Sequence, residues 1–169
     1  LITQSKLKDV LIRFYKPDMT NYIAENPGEF TEAVKLSLSD EHPYCWRAAS
    51  LVWDCMTEND ERVKPFVKKY LSALKNKKDG HQREILKILC LMDLEDKYEG
   101  GLFDLCINVW KDINKNSSVR VTAFKFLIKI AVKYPELRSE IIYLANENYL
   151  ETLSPGIKNS VGRMIKELK

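Results

Sequence analysis

Between residues 42 and 55 the sequence reads HPYCWRAASLVWDC, and its apolar positions recur every three or four places. At 100° per residue Cys45, Ala48, Ala49, Val52 and Met56 share one stripe. Trp46 and Trp53 flank it on one side and Cys55 on the other, which leaves Arg47, Ser50 and Asp54 as a polar strip. An apolar arc this wide predicts a helix packed on more than one side. His42 precedes Pro43, and proline suits the first turn, where its missing N–H is no loss. His42 therefore reads as an exposed capping residue, and the tryptophans as core or groove-edge anchors.

The same pattern returns three times. Arg47 in CWRAASLVW is followed by Arg83 in HQREILKIL, Arg120 in SVRVTAFKFL and Lys158 in GIKNSVGRMI, at spacings of 36, 37 and 38 residues. Each basic residue opens an apolar helical pattern and follows an acid: Asp40, Asp79, Asp112 or Glu151. A further helical segment precedes each one: PGEFTEAVKLSLS, KPFVKKYLSALK, GLFDLCINVWKDI and PELRSEIIYLANENYL. Phe30, Phe66 and Phe103 recur with the same period. Asn26-Pro27, Tyr134-Pro135 and Ser154-Pro155 mark helix starts, and Ser117 or Ser118 is placed to cap the third Arg-bearing helix. Gly100-Gly101 reads as a helix boundary. No alternating run of useful strand length occurs.

Repetition at this period predicts an all-α, right-handed α-solenoid of four helix pairs. The expected repeats are 26–58, 59–95, 96–132 and 133–169, behind an N-terminal cap over 1–25, in a single domain spanning 1–169. A first helix, an Asp, a short turn and a hydrophobic-Arg pair opening a second helix together resemble a HEAT repeat. SDEHPYCWRAAS (39–50) matches best and NKNSSVRVTAF (114–124) next. Over residues 26–169 the chain is similar to small bacterial HEAT-like proteins of unknown function, some of them catalogued as adenylosuccinate lyases. Those lyases carry a serine loop, G-S-S-x-M-P-x-K-x-N, whereas the serine doublet here, Ser117-Ser118, has no neighbouring glycine or Met-Pro. No lyase activity is expected. Repeats two and four depart from the pattern: Asp79 lies only four residues before Arg83, and Lys158 stands where the others have arginine.

Composition adds bounds rather than a function. The profile, with hydrophobic residues at 45% and charged residues at 30%, is globular, and a net charge of +3 does not by itself imply nucleic acid. No apolar run reaches membrane-spanning length, so no membrane partner is expected. Cys45, Cys55, Cys90 and Cys106 form no C-x-x-C pair, and with His42 and His81 as the available histidines they lack zinc-ligand spacing. They read as reduced, apolar helix residues in a cytoplasmic protein without metal or cofactor. There is no G-x-S-x-G, H-E-x-x-H, P-loop or G-x-G-x-x-G, and the acids Asp93, Glu95 and Asp96 fall at a helix end as solvated charge. No enzyme is expected.

Two surfaces are candidates for binding. In HEAT-like stacks the second helix of each pair lines the concave face, which selects a strip of Arg47, Ser50, Asp54, Arg83, Lys87 and Arg120, bordered by Trp46 and Trp53. The recurring arginines have two readings: bonds to acids and helix-terminal carbonyls of adjacent repeats, or contacts to a partner. The second surface is a basic edge. Residues 61–83 carry Arg62, Lys64, Lys68, Lys69, Lys75, Lys77, Lys78 and Arg83 against Glu61 and Asp79, a local charge of +6. The leading expectation is a non-catalytic protein-interaction scaffold using the concave strip. The alternative is a nucleic-acid-binding module using the basic edge.

Overall fold

A computed structural model of the chain describes residues 6–169. Among these residues the secondary structure is helical throughout, with no strand. The molecule divides into two compact units, the first ending at Asp93 and the second running Leu94–Lys169.

The first unit opens with α1 (Lys6–Arg13) and α2 (Lys16–Glu25), both packed on α4. Of the predicted cap over 1–25, residues 1–5 lie outside the described residues. Two helix pairs follow: α3 (Glu29–Leu38) with α4 (Tyr44–Cys55), then α5 (Val67–Leu74) with α6 (Asp79–Cys90). The first helices α3 and α5 pack side by side, and so do the second helices α4 and α6. The stripe predicted for α4 forms core: Cys45, Ala48, Ala49 and Val52 are fully buried. Pro65 opens α5 through a 3-10 turn at Lys64–Phe66, as expected where proline presets the first turn and withholds an N–H.

Polar groups tie these pairs together inside the core. Ser37 Oγ donates to Val34 O at 2.7 Å and lies 2.5 Å from the buried Tyr70 hydroxyl, which donates to it. The buried His81 donates from Nε2 to Ser37 O at 2.7 Å. Burial raises the Tyr70 pKa and lowers that of His81, so both stay neutral. One network thus joins α3, α5 and α6, and each group in it has a partner.

The second unit holds α7 (Asp96–Lys111), α8 (Ser117–Lys133), α9 (Arg138–Tyr143), α10 (Glu147–Leu150) and α11 (Pro155–Lys166). α8 is central, packed by α7, α9 and α11. Val119, Ala123, Phe124, Phe126, Leu127, Ile130 and Ala131 all bury on it, and Trp110 of α7 packs its ring 4.4 Å from Phe124.

Three local expectations are corrected here. Gly100-Gly101 is no boundary: α7 begins at Asp96 and runs through both glycines. Burial of Leu102, Cys106, Val109 and Trp110 on one face of α7 outweighs the ~1 kcal/mol a helical glycine costs against alanine. The acids Glu95 and Asp96 accordingly sit at the N-terminus of α7, where negative charge suits the helix dipole. The cap of α8 is Asn116, whose side chain accepts from Ser118 N at 3.0 Å; Ser117 is already helical. The segment 135–150 is not one helix but a 3-10 turn, α9 and α10, because Asn146 caps a fresh start by accepting from Asn148 N.

Candidate functional site

On the first unit, α4 and α6 turn a polar face outward, and the packing of α2 against α4 adds a third element to it. Trp53, near the end of α4, is half-buried between two ammonium groups: Lys87 Nζ of α6 lies 3.9 Å from its ring centroid and Lys16 Nζ of α2 lies 5.6 Å away. Such contacts are attractive because the ring face is electron-rich.

Both carboxylates of this face point inward. The Asp54 side chain is 6% exposed and receives Lys16 Nζ at 2.6 Å. Glu84 is 1% exposed; Arg83 donates to it from Nη2 at 2.5 Å, and Lys87 from Nζ at 2.7 Å. A buried carboxylate needs such partners, since an uncompensated one would be heavily penalised. The cations remain accessible, with Lys16 at 63%, Arg83 at 37% and Lys87 at 25%. The face therefore shows positive charge and an indole to solvent, with the balancing negative charge beneath.

The other strip residues take different places. Arg47 is half-buried, donates from Nε to Leu11 O of α1 and lies 5.5 Å from the Trp46 ring, with Trp46 itself 38% exposed. Ser50 is half-buried on the same helix. Arg120 does not belong on an open strip: it is 1% exposed. Its Nε donates to Trp110 O at 2.9 Å, Nη1 to Thr152 Oγ1 at 2.9 Å and Nη2 to Tyr149 O at 2.5 Å. Burial lowers its pKa, partly offset by Asp112. Those carbonyls close helix ends that would otherwise go unsatisfied, so here the arginine is a cross-brace.

The basic edge also divides. Lys77 leaves it, because its side chain is 6% exposed and its ammonium donates to Leu38 O, Ser39 O and Asp40 Oδ1. That bond from Lys77 holds Asp40 below its ordinary pKa. Arg62 is spent on Asp60, which it holds well below the carboxylate range, and on the Phe30 ring 3.7 Å away. Lys64 pairs with Glu61. Lys68, Lys69, Lys75 and Lys78 are exposed, and Lys68 and Lys69 line a shallow groove with Leu38, Ser72 and Ala73.

Sequence reasoning missed Lys16 and Glu84. Lys16 reaches the face only through the docking of α2, which no periodicity encodes. Glu84 carried a signal, since Glu84 and Lys87 are an acid and a base three apart on one helix.

Cys45, Cys55, Cys90 and Cys106 form no disulfide, and the described residues hold no group of three or more His, Cys, Asp or Glu able to bind a metal. No helix among the described residues is long and apolar enough to cross a membrane. No curated protein and no solved structure gives a significant match to this chain. A family model does: helix pairs with a recurring basic residue at the head of the second helix agree with a match over residues 4–168, and the chain belongs to the HEAT repeat domain family.

Proposed function

We propose that the chain is a non-catalytic scaffold that binds another protein through the α4–α6 face of its first unit. The supporting observation is the half-buried Trp53 held between Lys16 and Lys87, with Asp54 and Glu84 sunk beneath the cations. Tryptophan and arginine are the residue types that most often carry interface energy, and here they are held in place by neighbours before any partner arrives. Family membership agrees, since repeat stacks offer extended surfaces for association. Cysteines that form no disulfide fit a reducing compartment such as the cytoplasm.

A photo-crosslinking residue tests this. Benzoylphenylalanine in place of Trp46, an aromatic for an aromatic at the edge of the face, is expected to give a discrete protein adduct in the producing cell. The same group at Lys75 is expected to give none. An adduct only from Lys75 would reject the face.

A second reading has its own observation: Lys68, Lys69, Lys75 and Lys78 stand exposed as a lysine cluster suited to phosphates. Neutralising all of them to glutamine would then abolish binding to an oligothymidylate, with a steep salt dependence in the parent protein. Oligothymidylate binding that survives those substitutions would reject this reading.

A further inference from the structure

The α4–α6 face has a neighbour that gives it chemical character. Seven large hydrophobic residues are exposed among the described ones, and four of them lie on α1, on the turn into α2 or on α4: Ile12 at 48%, Phe14 at 44%, Tyr15 at 84% and Trp46 at 38%. Two bonds pin that turn beside the face. Arg47 of α4 reaches Leu11 O, one residue from Ile12, and Lys16, the residue after Tyr15, holds Asp54 of α4. An exposed apolar group bordered by cations is unusual for surface that meets only water.

Resting on the reading above, we infer that the partner docks as an acidic segment carrying at least one aromatic or large aliphatic side chain. Its carboxylates meet Lys16, Arg83 and Lys87, and its apolar residue packs between the α1–α2 turn and the two tryptophans. Charge complementarity carries the first half. The face turns three cations outward (Lys16, Arg83 and Lys87), while its own carboxylates, Asp54 and Glu84, are 6% and 1% exposed. An incoming carboxylate meets positive charge first, and it can share cations already fixed by the buried acids, at little cost in ordering long side chains. The exposed apolar residues carry the second half. Ile12 offers no ring for a base to stack on, whereas an aliphatic or aromatic side chain gains from Ile12, Phe14 and Tyr15 alike.

The test is a display selection of random linear peptides on the whole protein, followed by anisotropy titration of the enriched peptides at low and physiological salt. The expected result is enrichment of peptides with net negative charge and a Phe, Trp, Tyr, Leu or Ile. Serine in place of that residue should weaken binding about tenfold, and added salt should weaken it further. Tyr15→Ser, at an exposed position, should weaken binding about fivefold with unchanged melting temperature, and Lys16→Gln should weaken it by a similar factor while lowering the melting temperature, because it removes the ammonium that Asp54 holds. Peptides that need Lys16 and Lys87 yet are basic or purely polar would overturn the acidic-segment inference and leave the face standing. Peptides indifferent to Lys16→Gln, Lys87→Gln and Tyr15→Ser would overturn both. Failure to enrich any peptide, or an oligothymidylate that outcompetes those enriched, would overturn the inference as well.

Discussion

Arg83 and Arg120 stand at the same point of successive helix pairs, within the first turns of α6 and α8, and are used in opposite ways. Arg120 is shut inside the second unit, with its donors spent on Trp110 O, Tyr149 O and Thr152 Oγ1. Arg83 lies at the surface of the first unit and grips only Glu84, its neighbour on the helix. The first unit can release its arginine because other groups do the bracing: Tyr70, Ser37 and His81 join α3, α5 and α6 inside the core. A repeat position therefore fixes where a side chain starts, while the local supply of acceptors decides whether it braces or binds.

The largest expected effect separates these roles. Arg120→Ala strands two helix-end carbonyls, Trp110 O and Tyr149 O, and opens a cavity, and should cost about 4 kcal/mol of unfolding free energy. Arg83→Ala leaves Glu84 its bond to Lys87 and should cost about 1 kcal/mol. Urea titration of both variants checks this, and equal losses would break the comparison.

Much of this fold is legible in the sequence because helical periodicity and punctuation are local. The stripe through Cys45, Ala48, Ala49 and Val52, and the Ser154-Pro155 start, depend only on neighbours a turn away. Gly100-Gly101 misled because a tertiary gain, burial of α7 on α8, overrode a local cost. The break at Asn146 was missed because a mid-segment asparagine reads equally well as a tolerated helix residue. The site was half legible. Arg47, Ser50, Asp54, Arg83 and Lys87 share one unit, but Arg120 is buried by Tyr149 and Thr152, whose approach no spacing could announce. Lys77 was lost from the basic edge for a related reason, since its acceptors Leu38 O and Ser39 O lie almost forty residues away in sequence.

Two further predictions probe the bracing of the first unit. His81 is held below its usual 6.5 by burial, so the neutral ring is favoured in the fold. A depressed base binds fewer protons folded than unfolded, so its contribution is complete above about pH 6.5 and erodes as pH falls below it. Stability of the first unit should thus decline by up to about 1 kcal/mol per pH unit below that point, before carboxylates titrate. The decline should be flatter in His81→Gln. Thermal melts across that range check it, and a parallel slope in both proteins would remove His81 from the brace. Tyr70→Phe, which deletes one buried hydroxyl and leaves Ser37 its bond to Val34 O, should cost about 1 kcal/mol, read by the same urea titration.

The smallest effect belongs to α7. A Cβ at Gly100 or Gly101 meets nothing within 4 Å, and both are exposed and helical. Gly100→Ala should stabilise the second unit by about 0.7 kcal/mol. A loss would mean the helix is not continuous there.

The division between the two arginines is read most directly by NMR of arginine side-chain Nε–H groups in protein labelled with nitrogen-15 at arginine. Spectra are recorded alone and with a face-binding peptide from the display selection. The account predicts a slowly exchanging Arg120 resonance that does not move on titration, and a rapidly exchanging Arg83 resonance that shifts and gains protection. An Arg120 signal that shifts with peptide while Arg83 stays unchanged would contradict it.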